Sequence, residues 1–154
     1  MRRTEEAAGA FTPIAIIFIL GLVGGVIANL TIPLQVLPLW LQITGLAPLV
    51  IGVGLFIWAR SAFSRHKTSL MPWSPTAELV HDGPYRYSRN PIYLAFGLIY
   101  LGIGLVFNSA YVLMMLVVVL VLFDRLQIPR EEQYLENKFG ESFKTYKSKV
   151  RRWI

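Results

Sequence analysis

The sequence predicts an all-α integral membrane domain: about four transmembrane helices, the last two forming a helical hairpin, followed by a cytoplasmic amphipathic tail helix. Two observations carry this. Apolar residues make up 55% of the chain's 154 residues. The charges are segregated, with none between Ala7 and Ala59 and none between Asn90 and Phe123. A helix in water keeps one polar face towards solvent, and tracts this long leave none, so they suit hydrocarbon.

The first apolar run, residues 11–30, follows Met1-Arg2-Arg3 as in a secretory signal. It is longer than the apolar core of such a signal, and Val26-Ile27-Ala28 is a poor cleavage site, so it reads as a retained first span. Thr31-Ile32-Pro33-Leu34 and Pro38 break the helix in an uncharged connector, and residues 41–60 supply the second span. Gly21 and Gly25 have small-xxx-small spacing, and Gly45, Gly52 and Gly54 fall in the second span, where glycines let helix backbones approach closely.

Residues 61–89 change character. Arg65, His66, Lys67, Pro72, Trp73, Pro75 and Pro84 describe a polar interfacial loop, with Trp73 suited to the headgroup zone. Residues 91–106 and 111–127 are two further apolar arms, joined by Phe107-Asn108-Ser109-Ala110 in a tight hairpin. In the tail, residues 129–154, Pro129 suits a first helical turn, with Glu131 and Glu132 near the positive end of that helix. Gly140 reads as a stop. Phe143, Tyr146 and Val150 then share one face, with Lys144, Lys147 and Lys149 elsewhere, which predicts a basic helix lying on a membrane surface.

The net charge of +6 comes from basic residues flanking the spans. That is the pattern of topology signals and anionic-lipid contacts, and no base-reading module accompanies it, so nucleic-acid binding is not expected. The positive-inside rule puts the N-terminus, the central loop and the tail in the cytoplasm. With no cysteine and two histidines, neither a disulfide nor a catalytic metal set is expected.

Two polar clusters flank the hairpin: His81-Asp82-Gly83-Pro84-Tyr85-Arg86-Tyr87-Ser88-Arg89-Asn90-Pro91-Ile92-Tyr93, and Arg125-Leu126-Gln127-Ile128-Pro129-Arg130-Glu131-Glu132-Gln133-Tyr134-Leu135. A hairpin returns the chain to its starting side, so both belong to one interface, where ionisable groups beside an apolar bundle mark a functional site. His81 reads as a loop hydrogen-bonder rather than a base. His66 is too isolated to assign.

The Gly83-Pro84-Tyr85-Arg86 element, followed by Arg89-Asn90-Pro91 and Tyr93, resembles the signature of the isoprenylcysteine carboxyl methyltransferase family, within a broader phospholipid-methyltransferase-like group of membrane proteins. The acidic pair Glu131-Glu132, then Leu135, Phe139-Gly140, Tyr146 and Val150, is similar to that family's second element. Together the two cover roughly the C-terminal half. Asn90 stands where many relatives have histidine, so no titrating ring is expected there.

The resemblance implies a methyltransferase that binds S-adenosylmethionine without a Rossmann domain and acts on a membrane lipid or isoprenoid-type acceptor, with carboxylate O-methylation favoured. The cofactor site it implies is drawn from His81, Gly83, Pro84, Tyr85, Arg89, Asn90, Pro91, Tyr93, Leu94, Glu131, Glu132 and Leu135. Within it Arg89 suits the cofactor carboxylate, Glu131 or Glu132 its amino group or ribose, and Tyr85 and Tyr93 its adenine or sulfonium. Arg125 and Arg130 are the candidates to orient a carboxylate acceptor, and Glu132 to take the proton of an amine. The rival readings are phospholipid amine methylation, NADPH-dependent reduction of a sterol-type double bond, and a non-enzymatic scaffold or small transporter.

Overall fold

The computed structural model describes residue 16 and residues 19–66 and 78–154. Expectations about the first half of span 11–30, about Lys67 and about Trp73 lie outside the described residues. Helix α1 spans Ile19–Thr31, α2 Leu39–Thr44 and α3 Leu46–Arg65. A 3₁₀ turn, Gly83–Arg86, precedes α4, Pro91–Val106. Helix α5, Ala110–Leu122, runs through one π-helical turn, Phe123–Gln127, into α6, Ile128–Phe139, and α7 covers Glu141–Lys149. No strand occurs among the described residues.

Two of these stretches, Leu39–Arg65 and Ala110–Phe139, are long and apolar enough to cross a membrane, and Ile19–Thr31 and Pro91–Val106 are shorter apolar helices. The apolar part of the second ends before Asp124, and the charged residues follow it. Large apolar side chains face outward. Val50, Ile51 and Ile57 on α3 and Val117, Val118 and Val121 on α5 are 47–69% exposed. A continuous outward apolar surface of this kind calls for an apolar surrounding or a partner.

Three boundaries differ from the sequence reading. The second span is interrupted at Gly45, because Pro48 has no N–H to offer the Thr44 carbonyl one turn back. Its helix then continues past residue 60 to Arg65, so the first five residues assigned to the loop are helical. Pro129 does not start a new helix. The chain is helical from Ala110 to Phe139, and the π turn just before Pro129 absorbs the clash its ring would make with the Arg125 carbonyl. Glu131 and Glu132 therefore sit in a continuing helix, away from a free positive end.

Glycines set the packing distances. A Cβ on Gly52 would stand 2.9 Å from the Ala95 carbonyl oxygen of α4, and one on Gly102 would stand 2.7 Å from the Leu49 backbone nitrogen of α3. Gly25 similarly admits Val112, so that α1 lies against α5, while Gly54 faces open space and packs nothing. Tyr100, Val112, Val119, Phe123 and Ile128 form the buried centre.

The two charge-free connectors meet at one end. The Asn108 side chain accepts from the Val36 and Leu37 amides at 3.1 and 2.9 Å and donates to the Leu37 carbonyl at 3.0 Å. Its φ of 48° is left-handed, a conformation asparagine tolerates. Asn29 donates to the Phe107 carbonyl at 3.3 Å. The charged side chains of the described residues gather at the other end, from the close of α3 to residue 152.

Helix α7 also departs from expectation. Gly140 does end α6, with φ 55°. The apolar face beyond it, however, turns into the protein: Phe143 is 1% exposed, and the Tyr146 hydroxyl donates to the Tyr85 carbonyl at 2.7 Å. The face expected to lie on a membrane is thus buried against the loop before α4. Replacing Gly102 with alanine should lower stability by about 1–3 kcal/mol through overpacking against Leu49, measured as thermal unfolding in detergent.

Candidate active site

The loop before α4 is shaped by Gly83, whose φ of 57° suits glycine and whose Cβ would crowd Arg65 Nη2 at 3.3 Å. Pro84 and Tyr85 are buried in the 3₁₀ turn that follows. Tyr85 meets Phe63 edge-on at 5.4 Å between ring centroids, so its ring is a packing group. Asn90 stands just before α4, its side chain turned to the Arg152 carbonyl rather than to the helix, and Pro91 opens the helix, both buried. Below the loop, Arg65 pairs with Asp82 at 3.1 Å, and the two His66 ring nitrogens lie 3.1 Å from Glu78 and Asp82. Hydrogen bonding to Glu78, together with Asp82, raises the His66 pKa against the opposing effect of burial. Seemingly isolated in the sequence, His66 thus ties the end of α3 to the motif loop.

The two motif segments come together across α4 and α6. Arg89 Nη2 donates to Glu132 Oε1 at 2.8 Å, and the Tyr93 hydroxyl donates to Glu131 Oε2 at 3.0 Å. Arg89 and Glu132 side chains are 11% and 9% exposed, so this is a buried ion pair. Arg89 Nη1 donates to the Lys147 and Val150 carbonyls at 2.8 and 3.1 Å. Both terminal nitrogens expected to meet a cofactor carboxylate are therefore engaged within the chain. Nε is buried with no acceptor among the described residues.

Residues 150–153 complete the cluster. Beyond α7 the chain turns back along the motif loop. The Arg151 carbonyl accepts from the Arg89 amide at 3.0 Å, and the Arg152 carbonyl accepts from Asn90 Nδ2 at 2.9 Å and Ser88 Oγ at 3.3 Å. The Arg152 guanidinium bridges Asp124 and Glu132, 3.3 Å from each, and Trp153 Nε1 donates to Asp124 at 3.0 Å. Lys147 approaches Glu132 at 3.6 Å and Glu136 at 3.4 Å. Sequence reasoning missed Asp124, Arg152 and Trp153. The one signal available was a Trp beside two arginines just past the last motif residue, Val150.

Consecutive residues of α6 thus meet different surroundings. Glu132 is held by three cations. Glu131 is half-buried against α4 and accepts a hydrogen bond from Tyr93. Desolvation pushes the Glu131 carboxyl up to about 7; the Tyr93 hydrogen bond opposes the rise and the neighbouring Glu132 charge adds to it. Tyr93 also stacks at a tilt on Phe123, 4.8 Å between ring centroids. On the other face of α6 an open depression of about 470 Å³ is lined by Glu132, Gln133, Glu136, Asn137, Lys147 and Arg152, together with Pro129.

The remaining candidates lie apart from these contacts. Arg125 is 80% exposed, with Asp124 3.6 Å away, and Arg130 is exposed. His81 is exposed and turns Nδ1 to the Leu79 carbonyl at 3.0 Å. Leu94 and Leu135 are half-buried. Among the described residues no cluster of histidine and acidic groups has the makings of a metal site.

Two outcomes follow. Arg89→Ala leaves Glu132 buried without its shortest partner and should cost about 3–5 kcal/mol in thermal or denaturant unfolding. Glu131 holds its proton more tightly when folded than at the ordinary value of 4.5. Its stabilising contribution is therefore full below about 4.5 and is lost as pH rises to about 7. Glu131→Gln, which mimics the protonated form, should raise the melting temperature relative to the parent at pH 8 and leave it unchanged at pH 4.

A protein-S-isoprenylcysteine O-methyltransferase of Schizosaccharomyces pombe is 36% identical over 72 residues, 47% of this chain and 30% of that enzyme. An uncharacterized protein of Haemophilus influenzae is 38% identical over 63 residues, 41% of this chain and 100% of the relative. No solved structure matches the chain. Residues 40–142 match the phospholipid methyltransferase family, more than half of the sequence and both sides of the Tyr93–Glu131 contact. The chain belongs to the phospholipid methyltransferase family.

Proposed function

We propose that the protein is a multi-pass membrane enzyme that methylates a lipid-like acceptor at the cytoplasmic membrane face, using S-adenosylmethionine. The observation that carries this reading is the meeting of the two motifs at the charged end of an apolar bundle, with Tyr93 bonded to Glu131 and Arg89 to Glu132. The outward apolar surface and the charge-free opposite end support a bilayer setting, with α4 and α5 forming the hairpin within it.

The depression on α6 lies on the face away from Glu131, so it suits the cofactor's polar amino-acid end and leaves the sulfonium to reach the motif side. Its volume lies within the range of small-molecule sites. It offers Lys147 to the cofactor's carboxylate and Glu136 to its ammonium, with the Gln133 and Asn137 amides beside them, while Arg152 stays bound to Asp124 and Glu132. When bound, S-adenosylmethionine supplies an activated methyl group on a sulfonium. The chain's own work is then to align the acceptor, exclude water and accept any proton released.

Glu131 favours an amine acceptor over the carboxylate favoured by the sequence resemblance. Arg125 and Arg130, the cations expected to orient a carboxylate, are exposed and take no part in the buried pairs. Beside Tyr93 stands a carboxylate whose pKa is close to neutrality, as proton acceptance requires. As an amine nitrogen gains a methyl group it must lose a proton, and Glu131 takes it. Glu132, expected to be that acceptor, is committed to three cations.

Calorimetric titration of the protein in lipid nanodiscs should show binding of S-adenosylmethionine and none of NADPH; the reverse would overturn the methyltransferase reading. Incubation with radiolabelled methyl donor and membrane lipid extract should label a lipid with base-stable methyl groups. A base-labile label would restore the carboxylate ester. Activity should rise with pH through about 7 as Glu131 ionises, and Glu131→Gln should lose most of the turnover. A scaffold or transporter would tolerate that change.

A further inference from the structure

Arg152 is bound into the charged cluster more closely than packing alone requires. Its guanidinium spans Asp124, on the π turn, and Glu132, on α6, at 3.3 Å each. Its backbone carbonyl is fixed by Ser88 and Asn90 of the motif loop, and the adjoining Trp153 secures Asp124 from the same side. Glu132 therefore has Arg89 on one carboxylate oxygen and Arg152 on the other, with Lys147 3.6 Å from the second. Glu131 is the next residue along the helix.

We infer that Arg152 is a positioning residue for the proton acceptor: by holding the second oxygen of Glu132, it limits how strongly the Glu132 charge bears on Glu131. This rests on the reading of Glu131 as acceptor. The groups facing Glu131 are the Tyr93 hydroxyl from α4 and the Glu132 carboxylate from its own helix, with the Tyr85 hydroxyl of the 3₁₀ turn electrostatically coupled to it and that of Tyr146 on α7 coupled in turn to Tyr85. Facing Glu132 are Arg89, Lys147 and Arg152; facing Arg152 are Asp124 and Glu132, with Arg125 beside Asp124. Of the cations on Glu132, Arg152 alone also spans to the π turn. It can therefore relay a change in the seating of residues 150–153 on the motif loop to the acceptor.

The test needs no turnover. Glutamate carrying ¹³C in its side-chain carboxyl is followed by NMR in lipid nanodiscs, with Glu131→Gln assigning the resonance. The unaltered chain should titrate at about 7. Arg152→Gln leaves Glu132 less neutralised and should move that midpoint up by about half a unit to one unit. Arg152→Lys, a point charge that reaches one carboxylate at a time, should give a smaller upward shift and serves if the glutamine variant does not fold. Lys144→Gln, the same charge change at an exposed site, should leave the midpoint unchanged. A midpoint unmoved or lowered in the folded Arg152 variants overturns the positioning role alone. A titration near 4.5 in the unaltered chain overturns the assignment of Glu131 itself.

Discussion

The charged end of the molecule depends on the Arg89–Glu132 ion pair. Two charges removed from water cost several kcal/mol each unless their remaining hydrogen-bonding capacity is met. Here most of it is met by parts of the chain distant in sequence: the Lys147 and Val150 carbonyls on Arg89, and Arg152 and Lys147 on Glu132. The pair thus fixes the motif loop, α6 and the segment after α7 as one unit. The adjacent Tyr93–Glu131 contact inherits its geometry from that unit.

The apolar half is organised by a different constraint. Its helices approach through missing side chains, Gly52 and Gly102 between α3 and α4 and Gly25 between α1 and α5. Such contacts supply dispersion and little direction. Direction comes from the polar ends. Asn108 and Asn29 tie the two connectors at one end, and Arg65 and His66 anchor α3 to the motif loop at the other. With both ends of the hairpin pinned, the side chains at its charged end have fixed neighbours.

Much of this was legible in the sequence. Runs without charge located the helices, because hydropathy acts along contiguous residues, and the two motif segments were correctly expected to meet, because a short hairpin returns the chain to its starting side. Helix boundaries near proline were misjudged. Pro48 acts on Thr44 and Pro129 on Arg125, and the outcome depends on whether neighbouring helices support a break or a π turn. The face of Phe143 and Tyr146 looked like a membrane face because periodicity reports that a face is apolar, without naming what covers it. The division of labour between Glu131 and Glu132 was invisible for the same reason. Adjacent residues of identical type differ only in which neighbours the fold gives them, and those of Glu132 include Arg152, twenty positions away.

The π turn at Phe123–Gln127 has a consequence for how such a helix can vary. A widened turn accommodates one extra residue, and a single residue advances a helical side chain by about 100° around the axis. Everything after the turn is rotated by that amount relative to the apolar stretch before it. In a regular helix of the same length Glu131 would point where Glu132 now points and Arg130 where Glu131 does, so neither carboxylate would keep its partners. In this helix, spacing carries chemical identity as much as residue type does, so a relative with both glutamates but a regular turn would be a different machine.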